Sequence, residues 1–254
     1  MKRRWYILAA LTAFLGSLIL KAPAATFYGW LIARQLPATC VVYGLQGSIS
    51  EGRAAGIYLD GHPALGDFHW TLQAWRLLLA QTAFKIDGGG EQTSLDGALA
   101  LLPTGGINLS DFHARTGVKA LLTAIGQPYL PMDGRTVLDI SSVKIRNHQF
   151  RQAEGRIQVQ GLAWTLAASP VTLGDFNAAV STDHDNILLK IESAGPGPLE
   201  VSGEGKLGPD QSYEVHLQLR SRPDANPMVR NLISSIGTPD SQGWSHLRQQ
   251  GRLQ

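Results

Sequence analysis

The chain has 254 residues, enough for one large or two small domains with a sizeable core. Only 17% of its residues are charged, against roughly 25% in an average soluble domain, and it carries 28 glycines; that balance suits an all-β protein with many turns, or one that meets a membrane. A net charge of +2 with no dense Lys/Arg run beyond the N-terminus argues against a nucleic-acid binder, and the single cysteine, Cys40, excludes an intrachain disulfide.

Lys2, Arg3 and Arg4 precede an uncharged run, WYILAALTAFLGSLIL at residues 5–20, which Lys21 closes; no acidic residue occurs before Glu51. A basic start ahead of an apolar segment holds the N-terminus in the cytoplasm and sends the rest of the chain across the membrane. The run is shorter than the ~20 residues that span a bilayer, a deficit that snorkelling of Arg4 and Lys21 covers. Residues 27–32 add an interfacial extension, with Tyr28 and Trp30 suited to the headgroup region. Ala22-Pro23-Ala24 has the small-x-small form of a cleavage site, so a removed signal peptide is the competing reading. The preferred reading is an uncleaved single-pass anchor with a cytoplasmic stub over residues 1–34, because Lys21 abuts that site and the residues just beyond it are still apolar.

Leu36-Pro37 ends the apolar region. From Cys40 onward strand formers alternate with glycines, as in strands joined by tight turns. Trp70, Leu72 and Ala74 keep period two, while Leu77-Leu78-Leu79 fits either a strand or a short helix. Gly88-Gly89-Gly90 reads as a turn or loop, not a phosphate loop, since no Gly-Lys-Ser/Thr comes after it. Residues 94–102 and 107–113 read as two further strands. Beyond a link at residues 128–134 the alternation is plainer. Leu138/Ile140, Ile157/Val159, Ile187/Leu189/Ile191, Leu199/Val201 and Val215/Leu217/Leu219 each have polar neighbours. Asp183-His184-Asp185-Asn186 and Gly208-Pro209-Asp210 are hairpin connections. The pattern predicts a largely antiparallel sheet with one apolar face.

Two stretches recur. Trp70-Thr71-Leu72-Gln73-Ala74 returns as Trp164-Thr165-Leu166-Ala167-Ala168. The eleven residues from Val118 return from Val229, with Val118, Leu121, Leu122 and Ile125 matched by Val229, Leu232, Ile233 and Ile236 at helical spacing. Each copy ends in a glycine able to terminate a helix in the left-handed conformation, Gly126 or Gly237, with a proline two residues on. Thr116 is the expected N-cap of the first helix; Asn226 with Pro227 after it starts the second. The reading is a mainly β protein: an N-terminal transmembrane helix followed by a duplicated antiparallel sheet with two short helices. The repeats are residues 35–128 and 129–254, in one continuous body, with an insertion of roughly 17 residues in the second copy.

No catalytic, cofactor or metal residues are expected. His62, His69, His113, His148, His184, His216 and His246 form no His-x-His pair and no His-Glu-x-x-His helix. Asp183-His184-Asp185 reads as a solvated hairpin tip rather than a cation site. Ser48 does not stand in Gly-x-Ser-x-Gly. Cys40 reads as a buried or interfacial thiol, and Trp70 and Trp164 as core aromatics.

The order of these motifs resembles the type II secretion system protein N family of Gram-negative bacteria. The likeness rests on the basic start and anchor, Leu36-Pro37, the glycine-framed segment from Gly47 to Gly52, the Trp-bearing strands, and Asn226-Pro227 leading to Leu232-Ile233-Ser234-Ser235-Ile236-Gly237. It ends on Gly243-Trp244, Leu247 and Gly251-Arg252-Leu253. The family commonly has a tryptophan between the first two glycines, where Ile49 or Ser50 stands here. The resemblance implies an inner-membrane protein with its bulk in the periplasm, without cofactor or catalytic residues. It would be an accessory component that contacts other secretion subunits in the export of folded proteins across the outer membrane. The alternative is an AsmA-like or bridge-like lipid carrier, whose apolar sheet face would cradle acyl chains and stay open as a continuous groove.

Overall fold

The computed structural model describes residues 21–27, 40–59, 62–79, 81–90, 93–102, 105–124, 127–146, 149–166, 169–223 and 225–252. The expected anchor run at residues 5–20, most of its extension at 27–32, and Ile125, Gly126, His148, Ala167 and Ala168 lie outside the described residues. Among the described residues no helix is long and apolar enough to cross a membrane.

After the short α1 (Ala24–Phe27), the strands β1 (Cys40–Tyr43), β2 (Gln46–Gly47), β3 (Glu51–Ala54), β4 (Gly56–Leu59) and β5 (His62–Leu65) come in close succession. Then come β6 (Phe68–Leu72), a 3-10 turn (Ala74–Leu79), β7 (Thr82–Gly89), β8 (Ser94–Leu101) and β9 (Ile107–Gly117). Helix α2 (Val118–Ala124) leads to β10 (Met132–Arg146), β11 (Gln149–Trp164), β12 (Val171–Asp183), β13 (Asn186–Ser193), β14 (Leu199–Leu207) and β15 (Ser212–Ser221). Helix α3 (Pro227–Ile236) and β16 (Ser245–Arg252) close the described chain.

The strands form two antiparallel sheets. A three-stranded one has the order β1-β4-β5, and a 13-stranded one runs β16-β15-β14-β13-β12-β11-β10-β9-β8-β7-β6-β3-β2. From β6 to β16 each strand pairs with its neighbours in sequence, because a two-residue turn such as His184-Asp185 or a short loop is all that an antiparallel pair requires. His184 meets its turn with φ 53.

The core lies where α3 covers one border of the large sheet. Ala225, Val229 and Ile233 pack on Leu173, Phe176 and Leu199, with Val159, Leu162, Trp164, Val171, Val201 and Leu219 around them. Burying a side chain of this size contributes about 1.5–3 kcal/mol, so packing rather than helix propensity holds α3 in place. Asn226 Oδ1 accepts the Met228 N–H at 2.9 Å, the expected N-cap with Pro227 in the first turn. Helix α2 lies against β9, β10 and β5.

Several local expectations are corrected. Thr116 lies inside β9, which runs into α2 without a separate cap. Gly237 is extended, at φ 174, not left-handed. Of the two readings of Leu77-Leu78-Leu79, the short helix holds, as a 3-10 turn. Gly88 and Gly89 are not a loop but the end of β7, paired with Leu95 and Ser94. A Cβ on Gly88 would lie 2.3 Å from the Asp67 carbonyl oxygen, so only glycine lets β6 approach that closely. β6 and β11 are separated by five antiparallel pairings and therefore run in opposite directions. β9 and β15, which lead into α2 and α3, are six pairings apart and run the same way.

Candidate functional site

Residues directly opposite each other in an antiparallel pair point to the same face. One register row can be traced from β3 to β16: Ala54, Phe68, Gly88, Leu95, Ala114, Leu138, Ile157, Ala178, Ile191, Gly203, Leu217 and Leu247. None has a polar side chain. The row is buried at Ala54, Leu95 and Ala114, half-buried at Leu138, Ile157, Ala178, Ile191 and Leu217, and exposed at Leu247. Beside it, two residues along each strand, runs a second such row: Phe112, Ile140, Gly155, Val180, Leu189, Gly205 and Val215.

The opposite face carries the reverse pattern one residue away. Arg53, His69, Asp87, Asp96, His113, Asp139, Arg156, Ala179, Lys190, Glu204, His216 and Arg248 stand opposite one another in turn, and all but Ala179 are ionisable. The imidazole of His113 donates to Asp139 Oδ1 at 2.8 Å, and this hydrogen bond raises its pKa above the ordinary value. Asp96 and Asp111 add a weaker pull in the same direction.

The sheet has two edges. β2 is two residues long. β16 has eight, all exposed except Ser245. Its cationic side chains fold back onto neighbouring carboxylates. Arg252 donates to Asp210 at 2.9 Å, Arg248 pairs with Glu214, and His246 lies 2.9 Å from Asp240. Asp210 is held down to about 2, first by the Ser212 hydroxyl and then by Arg252. Glu214 is lowered by His216 and Arg248, and Asp240 by His246 and the Trp244 N–H. Arg220 stacks over the Trp244 ring at 4.5 Å and also reaches Glu200 at 2.6 Å, which fixes the loop before β16 to the charged face.

His184 bonds its neighbour Asp183 on an exposed hairpin, and His216 bonds Glu214. Among the described residues no three His, Cys, Asp or Glu side chains gather to hold a metal ion. Ser48 bonds Ser50 and the Glu51 N–H within a turn. Trp70 donates its indole N–H to the Ser48 and Ile49 carbonyls at 3.3 and 3.2 Å, and Trp164 packs beside the α3 core. The edge strand β16 is the feature that sequence reasoning missed. Its residues, SHLRQQGR, contain one large apolar side chain and so show no alternation.

A model of the family described as "Type II secretion system (T2SS), protein N" matches residues 39–248. The chain is also similar to the "Type II secretion system protein N" of Aeromonas hydrophila, at 24% identity over 260 residues that cover 100% of both chains. No solved structure matches it.

Proposed function

The chain belongs to the type II secretion system protein N family, and from that membership we propose that it is a non-enzymatic accessory component of that machine. In this reading residues 1–34 anchor it in the inner membrane and the two repeats, 35–128 and 129–254, lie in the periplasm. There it docks other secretion subunits in the export of folded proteins across the outer membrane. The duplication rests on the helix echo and the Trp-Thr-Leu echo of the sequence.

The observation that supports docking is the edge at β16. Eight residues of backbone end the sheet with no further strand beyond them among the described residues. The flanking arginines are tied back to β15 and its turn, which leaves the outer N–H and C=O groups clear for an added strand.

Two proline substitutions test it. Neighbouring N–H groups in a strand point in opposite directions, so Gln249→Pro and Gln250→Pro remove one outward donor and one donor to β15. The variant that keeps its Tm is the outward one. It is expected to reduce secretion of an exported enzyme several-fold. Wild-type secretion in that variant would sink the β16 assignment.

A further inference from the structure

Residues 22–27 lie at one end of the large sheet. The Ile49 N–H donates to the Ala22 carbonyl at 3.1 Å, Pro23 pairs with Ser48, and the Leu72 N–H donates to the Ser50 carbonyl at 2.6 Å. α1 is therefore held where β3 begins and where β6 gives way to the 3-10 turn. Antiparallel order brings the close of β8, the opening of β9 and the close of β10 to the same end. Thr82, Leu101, Ile107 and Ile145 form its last register row.

This end is apolar and cationic. Trp75, 60% exposed, stands there with Leu77, Leu101 and Ile107, which are also exposed. Residues 73–86, 101–110 and 143–153 contain no Asp or Glu. The Arg76 guanidinium lies 5.2 Å from the centre of the Trp75 ring, and Arg146, which bonds Asn108, lies across Gly106. Neither arginine is in an ion pair among the described residues. Arg146 projects from the sheet face opposite Ile107, but the two faces meet at the end of a sheet, so both side chains border one surface.

An exposed indole beside a guanidinium, with aliphatic neighbours and no carboxylate, matches the boundary between lipid phosphates and acyl chains. The tips further along the same end carry Asp183, Asp185 and Asp210 instead, and the twist of the sheet turns them out of a plane met by β6 to β9. The opposite end also exposes Tyr129 and Leu166, but Asp133 follows shortly after Tyr129, and residues 22–27 are far from it.

Position decides the occupant. The uncharged run at residues 5–20 stops just before Lys21 and Ala22. Two residues reach at most about 7 Å, and the polar layer on each side of a bilayer core is about 5–8 Å deep. With the run in the membrane, the bond from Ile49 to Ala22 holds this end of the sheet at that layer.

We propose that this end of the sheet is seated in an anionic bilayer surface. Trp75, Leu77, Leu101 and Ile107 enter the head-group layer, and Arg76 and Arg146 meet lipid phosphates. The proposal rests on the anchor reading of residues 1–34 and does not depend on docking through β16.

The test uses the full chain with Cys40→Ser, so that each introduced cysteine is alone, in vesicles of phosphatidylethanolamine and phosphatidylglycerol. Nitroxide labels are placed through Leu77→Cys or Leu101→Cys, with His184→Cys on the acidic hairpin and Leu166→Cys at the opposite end as controls. Electron paramagnetic resonance reads the access of oxygen, which favours lipid, and of a nickel chelate, which stays in water. The oxygen-to-nickel ratio at 77 and 101 should exceed that at 184 and 166 several-fold. Ratios equal to those of the controls overturn the proposal. So does low access of both reagents at 77 and 101, which marks a protein contact. A label at Leu11 reports on the anchor separately: an aqueous reading there sinks the anchor, while positions 77 and 101 still decide the seat. With Arg76→Gln and Arg146→Gln combined, the ratio at 77 should fall and no longer respond when phosphatidylglycerol is replaced by phosphatidylcholine. An unchanged response overturns the phosphate contact.

Discussion

At Gly52 there is room for nothing but the indole of Trp70. A Cβ there would sit 2.3 Å from Trp70 Cζ2 and 2.7 Å from the Gln46 carbonyl oxygen. Gly52→Ala is therefore expected to destabilise by about 1–3 kcal/mol, as overpacked sites do, measured by urea unfolding. Thr136 presents the opposite case. It is fully buried, and its hydroxyl finds no partner among the described residues. Thr136→Val keeps the shape and removes the unsatisfied group, so it should stabilise by about 1 kcal/mol; a loss of stability would show the hydroxyl to be satisfied. His113 gives a pH dependence. Its pKa is raised in the folded state by Asp139, so the tie is complete below the imidazole's ordinary value and is lost as pH climbs through the raised one. An NMR titration should find the His113 midpoint above 6.5, and Asp139→Asn should bring it down.

At the scale of elements, β16 should be the part most sensitive to acid. Asp210, Glu214 and Asp240 are all lowered by contacts that include residues of β16. A depressed carboxylate stabilises above its unfolded pKa, near 4, and that contribution disappears as pH falls through the folded value, about 2 for Asp210. Amide exchange in β16 should therefore rise relative to β13 between about pH 4 and 2; parallel behaviour of the two strands would refute it. The strands of the second half were legible because each alternates apolar and polar residues over one face. β16 was not, because an edge strand with both faces wet needs no alternation. Asn226-Pro227 announced α3 correctly. Thr116 misled because its strand continues directly into α2.

For the whole molecule, the apolar and charged rows could not be read from the sequence, although each strand's alternation could. Aligning rows across strands requires the register, and bulges shift it: at Ile140/Ser142 between β10 and β11, and at Asp96/Ala98 between β8 and β9. The same limitation hid the opposite directions of Trp70 and Trp164. The sequential pairing from β6 to β16 has its own consequence. Each strand needs only its predecessor as a template, so a chain that emerges N-terminus first can zip up progressively, with little loop-closure entropy at any step. Length is then an adjustable quantity. A hairpin gained or lost at the β16 end would lengthen or shorten the sheet by about 10 Å and leave every existing register in place.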